Sequence, residues 1–388
     1  MIRILFVSSL FVYLLVIAAN LAVPTSEEAE AIPSGTIPRR VVGPGPSSVA
    51  SNREAPREPR VGCAINLHHT NRLDRYFEAI NVMVDEVGFT HLEIITPVYQ
   101  EHAGSPEVSL LHGPGAGPYR DQLLTLLRHA QARGMRTALM PIVLLSDPAR
   151  NEWRGRIRPD NWDRWWRSYV AVMDYFVDVA NEADVAMLAI GSELLAAEDQ
   201  TRRWVALIRR IRKQYDGALT YSTNWDHFHV PQFWQHLDFI GMTAYWNLTL
   251  EAAEPAHPTL NELLARWGNI RADLLAFAHT HERPILFTEL GYPSLPWGLS
   301  DPWNYVNPDA VPPAPNLQAL GYKAFLAAWN DLLLREAPPN GHLFAGAYFY
   351  RWDPYHLDET DTGYGIQRKT TLELIKEFFK RSNRRISK

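Results

Sequence analysis

Between residues 61 and 380 short apolar runs alternate eight times with amphipathic helical stretches, and this count and spacing predict an α/β fold of the closed (β/α)8, or TIM-barrel, type. A second observation removes the main competitor. An open, doubly wound sheet would bind a nucleotide through a Gly-rich turn directly after a strand, and neither G-x-G-x-x-G nor a P-loop pattern is present. Third, 388 residues with 46% hydrophobic content are enough to bury a sizeable core, in one large domain of this kind or in two modest ones.

The expected strands are residues 61–67, 91–98, 136–145, 185–193, 218–224, 238–245, 284–289 and 343–352. Each interval between them carries a helix-like pattern, although the fifth, at 232–237, is short. In the third interval Trp162, Trp165, Trp166, Tyr169, Met173, Phe176, Val177 and Ala180 recur at three- and four-residue spacing, which makes one apolar stripe on a helix. The sixth opens with Thr259-Leu260-Asn261-Glu262, a capping box that satisfies the first free N–H groups of a helix. Gly113-Pro114-Gly115-Ala116-Gly117-Pro118 is Gly-rich, but its prolines remove donors, so it reads as a loop.

The ends of the chain read differently. Arg3 precedes an apolar run over 4–19, broken only by Ser8 and Ser9, and then Asn20-Leu21-Ala22-Val23-Pro24. A basic start with such a run is expected to direct export, with Val16-Ile17-Ala18 the best cleavage candidate. The run through Val23 is also nearly long enough to span a bilayer, which leaves an uncleaved anchor open. Residues 1–23 are therefore expected to be a signal peptide or anchor. Residues 24–60, rich in Pro, Gly, Ser, Glu and Arg, form a flexible tether, 61–380 the barrel, and 381–388 a basic tail. The protein is expected to be secreted, periplasmic or anchored facing outward.

Composition narrows the partners. A net charge of −5 argues against nucleic acid, and the cluster Arg209-Arg210-Ile211-Arg212-Lys213 reads as a solvated helix face. The single cysteine, Cys63, allows no intramolecular disulfide or Cys-rich metal site, and its apolar setting predicts packing. A metal-dependent barrel hydrolase needs converging His and carboxylate ligands, often His-x-His on the first strand. Here His68 and His69 are adjacent and point to opposite faces, and His227-Phe228-His229 lacks a clear third ligand. No metal or cofactor is expected. A monomer is expected, touching a membrane only through an uncleaved anchor. The 13 Trp and 16 Tyr residues suit the flat faces of sugars, as they also suit a large core.

Barrel chemistry sits at the C-terminal ends of the strands, so polar residues there carry the information. The fourth strand ends Met187-Leu188-Ala189-Ile190-Gly191-Ser192-Glu193 and the seventh Ile285-Leu286-Phe287-Thr288-Glu289. Alternation with period two puts Glu193 on one face with Gly191, Ala189 and Met187, small residues that leave room inside the barrel. Two carboxylates at a barrel mouth suit glycoside hydrolysis, in which one acid protonates the leaving oxygen while the other, ionised, attacks or activates water. The competing reading is a non-catalytic carbohydrate-binding barrel, which needs aromatics but not two opposed carboxylates. Asn224 and Trp225 after the fifth strand and Trp246 after the sixth are candidates to contact sugar, with Trp297 and Trp303 in the loop after the seventh. Asp226 and Asp353 are weaker candidates.

The runs Gly191-Ser192-Glu193-Leu194 and Thr288-Glu289-Leu290-Gly291-Tyr292-Pro293 resemble the clan A retaining glycosidases, and most closely glycoside hydrolase family 113, whose characterised members act on β-1,4-mannans. The resemblance implies that Glu193 is the acid/base and Glu289 the nucleophile. It implies further that Tyr245 lies close to the nucleophile and that Trp352 forms the floor beneath the reacting sugar. The substrate implied is a β-linked polysaccharide or oligosaccharide. Two departures stand out: Ser192 occupies the usual Asn position, and strand two, Glu93-Ile94-Ile95-Thr96-Pro97, offers no equivalent of the clan's Arg.

Overall fold

In a computed structural model of the chain, eight parallel strands pair in sequence order and the last closes on the first. Residues 59–149, 151–249, 258–333, 343–355 and 360–386 are described; the expected leader and nearly all of the expected tether lie outside them. The strands are β1 (Arg60–Asn66), β2 (His91–Gln100), β3 (Arg136–Leu145), β4 (Met187–Ser192), β5 (Ala218–Asn224), β6 (Ile240–Thr243), β7 (Ile285–Leu290) and β8 (Phe344–Trp352). All eight expected strands are present, displaced at their ends by no more than a few residues.

The helices of the outer layer are α1 (Leu73–Val82), α2 (Arg120–Ala132), α3 (Trp162–Glu182), α4 (Thr201–Arg212), α5 (Leu260–His281), α6 (Pro315–Leu333) and α7 (Thr370–Ile386). Between β5 and β6 the helix reduces to one 3-10 turn, Trp234–His236. The connection is too short to run a full helix back along the barrel, and Trp234 fills the gap instead, buried and donating its indole N–H to the Phe228 carbonyl at 3.0 Å. Helix α7 continues to Ile386, so the backbone of the expected basic tail is helical almost to its end.

The aromatic stripe on α3 packs as its spacing demands. Trp165 stacks on Tyr169 at 4.8 Å, and Trp166 meets Trp204 of α4 edge-on at 4.9 Å. Such pairs each contribute roughly 0.5–1.5 kcal/mol beyond burial. Helix α5 begins with the predicted box: the Glu262 carboxylate accepts from the Thr259 N–H at 2.7 Å, and the Thr259 hydroxyl accepts from the Glu262 N–H at 3.4 Å. Cys63 is fully buried and its thiol donates to the Phe349 carbonyl at 3.2 Å, a packing role.

The barrel interior is filled in layers. Near the N-terminal ends of the strands lie Ala138, Met187, Phe239, Leu286, Ala345 and Tyr348, closed from below by the Arg60 guanidinium 4.9 Å from the Phe239 ring. Above them lie Ala64, Ile95, Met140, Ile142 and Ala189, with Tyr350 packed against the group. Glu93 lies within this filling, and the other acidic side chains of the interior, Glu193 and Glu289, follow towards the C-terminal ends of β4 and β7.

Candidate active site

Strand β4 delivers Glu193 by breaking its own alternation. Its pairing with β5 runs Ala189 to Thr220 and then slips to Ser192 and Ser222. Met187 and Ala189 face the interior, but a Cβ on Gly191 would meet Tyr169, Tyr221 and Trp204 at 2.9–3.1 Å, among the aromatics of the outer layer. Gly191 therefore does not share the face of Ala189 and Met187, as strict alternation had placed it. The slip redirects the chain, and Glu193 follows in the left-handed region at φ 50°. That conformation costs about 1–2 kcal/mol for a non-glycine residue. It is held in part by the Glu193 N–H, which donates to the Ser222 carbonyl at 2.8 Å.

The two glutamates share one buried polar cluster. Glu193 is 5% exposed and Glu289 4%. One oxygen of Glu193 accepts from the Thr243 hydroxyl at 2.7 Å, and the other is ion-paired with Arg154. On β7, Glu289 accepts from the Tyr245 hydroxyl at 2.6 Å. Burial, and next the neighbouring Glu193 charge, push the Glu289 carboxyl up to about 7. The Tyr245 bond and the charges of Arg154 and Arg351 pull the other way. Two like charges in a dry site do not both ionise cheaply, so the neighbouring Glu193 charge favours the protonated form of Glu289. Burial works against the Arg154 charge, but Glu193 and Glu289 more than restore it, and the guanidinium stays protonated.

Deeper in the barrel, Glu93 of β2 is fully buried, and neither of its carboxylate oxygens has a partner among the described residues. It lies in register between Ala64 and Ala138, two small residues that leave it room. Burial, reinforced by Glu289, raises its pKa well above the usual carboxylate range and so favours its neutral form.

Around Glu289 stand three tyrosines, Tyr245, Tyr350 and Tyr364, with Tyr305 packed against Tyr364. Tyr364 lies 5.7 Å from Tyr245, 5.2 Å from Tyr350 and 5.7 Å from Tyr305, and Tyr245 meets Tyr350 edge-on at 6.3 Å. Tyr350 accepts from the Asn66 amide at 3.1 Å. Trp352, expected to floor the site, is not brought to this group. It pairs in register with Ile65, on the opposite face from Ala64, and packs in the main core, while Tyr350 is the strand-eight ring that joins the pair's surroundings. A register slip between β1 and β8 puts Trp352 on the other face of the strand from Tyr350, which the resemblance that placed Trp352 does not take into account.

The other candidates divide. Asn224 accepts from Thr243 at 3.2 Å and donates to Asp226 at 2.7 Å, next to the Glu193 partner. Trp225 is half-buried and stacks on Trp303 at 5.6 Å and 19°, joining the loop after β5 to the loop after β7. Trp246 is buried, 5.7 Å from Phe287 and 6.1 Å from Trp267, and belongs to the layer between barrel and α5. Trp297 donates to the Asn304 carbonyl at 2.8 Å and builds its own loop. Asp353 binds Arg351 at 2.7 Å. His227 bonds the buried carboxylate of Glu198 at 3.2 Å, and His229 packs on Phe228 and Phe277. Among the described residues no three His, Cys, Asp or Glu side chains converge in a metal-holding group.

Sequence reasoning missed Arg154, Thr243, Glu93 and Tyr350. Glu93 carried a usable signal, a charged residue inside an otherwise apolar strand, and Thr243 lay two residues before Tyr245. Arg154 lies in an aperiodic loop and offered none.

A closed (β/α)8 barrel with two interacting buried carboxyls at the strand ends, ringed by tyrosines, has the construction of a glycoside hydrolase. Residues 72–336 match the family model described as Glycoside Hydrolase Family 113, and the chain belongs to that family. It is a glycoside hydrolase. Among solved structures it is similar to a family 113 β-mannanase from Alicyclobacillus acidocaldarius, with 24% identity, 86% of this chain and 99% of that one covered, and a TM-score of 0.69. A complex of a family 113 β-1,4-mannanase is similar at 22% identity, with 83% and 99% covered and a TM-score of 0.69. A family 5 mannosidase from Rhizomucor miehei follows at 14% identity, with 86% and 96% covered and a TM-score of 0.55. At these identities the likeness is one of fold. No curated protein is matched by the sequence.

Proposed function

We propose that this chain is a retaining glycosidase that cleaves β-linked polysaccharide or oligosaccharide of the β-1,4-mannan class by double displacement, with Glu289 as nucleophile and Glu193 as acid/base. The observation that carries the reading is the coupling of the two buried carboxyls, one bonded by Tyr245 and the other by Thr243 and Arg154. In the first step the Glu193 O–H protonates the glycosidic oxygen as its bond to the anomeric carbon breaks, and a Glu289 oxygen bonds to that carbon from the opposite face. The Tyr245 hydroxyl stabilises Glu289 while it is ionised. In the second step the Glu193 carboxylate takes a proton from water, whose oxygen displaces Glu289 and regenerates both groups. Two inversions retain the configuration.

The family 113 relatives titled β-1,4-mannanase support the choice of mannan. The experiment is hydrolysis of mannan, glucan, xylan and galactan by the purified chain, with products sized and the first-formed anomer read by NMR. Mannan cleaved with retained configuration is expected. An inverted first product rejects the mechanism, and cleavage of another polymer in preference to mannan rejects the substrate. We also propose export, on the strength of Arg3 and the apolar run that follows it. Absence of the protein from the exported fraction would refute that.

A further inference from the structure

We infer that Glu198 is a positioning residue for the acid/base: through the Tyr221 hydroxyl it fixes the backbone that carries Glu193, although it does not face the catalytic pair. This inference rests on the proposed role of Glu193. Glu198 follows the short 3-10 turn Leu195–Ala197 and is fully buried. A carboxyl so placed needs hydrogen-bond partners. Three are present. One oxygen accepts from the Tyr221 hydroxyl at 3.0 Å and from the Thr223 hydroxyl at 2.9 Å, and His227 Nδ1 lies 3.2 Å from the other.

The route from Glu198 to Glu193 is short. The Leu194 N–H donates to the Tyr221 hydroxyl at 2.9 Å. A hydroxyl has one hydrogen to donate and accepts through its lone pairs. Glu198 takes that hydrogen, which leaves the lone pairs of Tyr221 free for Leu194. The N–H groups of Glu193 and Leu194 are then both held by β5, the first by the Ser222 carbonyl at 2.8 Å and the second by Tyr221. These two groups flank the Glu193 Cα, whose φ of 50° lies in the left-handed region that favours glycine. Holding both of them fixes the direction in which the Glu193 side chain leaves the chain.

The other two bonds extend the clamp to the neighbouring loop. Tyr221 and Thr223 alternate onto the face of β5 turned to the outer layer, where Tyr221 meets Trp204 at 5.0 Å and Phe233 at 5.5 Å. Thr223 and His227 bracket Asn224. Its carbonyl accepts from the His227 N–H at 2.9 Å, and its side chain accepts at 3.2 Å from Thr243, the partner of Glu193. The turn before Glu198 is tied to the outer layer as well, since the Trp204 indole donates to the Ala197 carbonyl at 2.8 Å. One buried carboxyl thus joins the segment that presents Glu193 to the strand and the loop that support it.

The test compares kcat/KM on two aryl β-mannobiosides for the wild type, Y221F, E198A and E198Q. A dinitrophenyl leaving group departs without a proton, whereas a phenyl leaving group needs one from Glu193. Misplacing a general acid withholds part of a contribution of about 10²–10⁴, so Y221F and E198A should lose about tenfold to a hundredfold on the phenyl substrate and about twofold or less on the dinitrophenyl one. E198Q, whose amide oxygen still accepts from Tyr221, should stay closer to wild type than E198A on the phenyl substrate. Equal losses on the two substrates, which a loosened fold would give, overturn the inference. So do an unchanged phenyl rate in Y221F and a loss in E198Q as large as in E198A. Should E198A fail to fold, Y221F gives the reading by itself, because it removes only the hydroxyl. A wild type that hydrolyses neither glycoside, or an E193A variant with no preference for the dinitrophenyl one, would instead defeat the proposed function, so the two failures are told apart.

Discussion

The two ends of the barrel interior are made from the same eight strands and have opposite chemistry. At the N-terminal end, Met187, Phe239, Leu286 and Tyr348 fill the space, and the nearest cation, Arg60, lies against an aromatic face. At the C-terminal end Glu193, Glu289 and Arg154 are all buried, with Glu93 deeper beneath them, and several of the polar atoms of Glu93 and Arg154 have no partner among the described residues. The lower end is built for stability, whereas the upper end gives up stability to hold charge where water would otherwise screen it. The two ends should therefore respond differently to substitution.

The largest effect should come from the upper carboxyls. Glu289→Ala should lower kcat roughly 10³-fold or more by abolishing the covalent intermediate, and added azide should rescue it only as the inverted glycosyl azide. Glu193→Ala should lose about 10²–10⁴ on substrates with poor leaving groups and much less on activated aryl glycosides, with azide then giving the retained product. Identical azide products from both variants would erase the distinction between the two roles.

A smaller effect, on stability, is expected from Glu93. Its folded pKa is raised, so the native state holds a proton that the unfolded chain releases above its own pKa of about 4.3. Stability from this group is complete below that pH and is lost as pH rises towards the folded value, by about 1.4 kcal/mol per pH unit. Glu93→Gln should flatten the fall in unfolding free energy between about pH 5 and pH 7, as denaturant titrations would show. Equal slopes in the two proteins would mean that Glu93 is ionised and partnered.

The smallest and sharpest comparison uses two tyrosines two residues apart on β8. Tyr350→Phe removes the hydroxyl that Asn66 bonds beside the pair and should cut turnover about threefold to tenfold with little change in melting temperature. Tyr348→Phe, in the lower layer, should leave turnover at the wild-type level and alter stability by about 1 kcal/mol or less. Reversal of these two outcomes would show the division of the barrel to be drawn in the wrong place.

Much of the fold was legible from the sequence. Strand runs such as 136–145 are apolar and bounded by turns, and the α3 stripe repeats at helical spacing, so local pattern and tertiary demand agree. The short link between β5 and β6 was visible as a short interval, but its collapse to a single turn was not, because that depends on the room Trp234 finds. At the site, Glu193 and Glu289 could be placed because each lies at the end of an apolar strand, and Tyr245 because of the family resemblance. The face of Gly191 was misread because it lies at a register slip, which reverses the side chains that follow, whereas Trp352 was placed by the resemblance alone and a second slip turns it away from the face of Tyr350.

By itself, then, the amino-acid sequence determined the barrel, the order of its strands and the two glutamates at its mouth, because these follow from periodicities of two and 3.6 residues counted along the chain. Only the tertiary structure decided what surrounds those glutamates. Arg154 reaches Glu193 from a loop across 39 positions of sequence, and Thr243 reaches it from two strands away. Glu289 also raises the proton affinity of Glu93, and Glu193 that of Glu289, only once the barrel has closed. Electrostatic coupling depends on distance through space and on the exclusion of water, and neither is a property of any one segment.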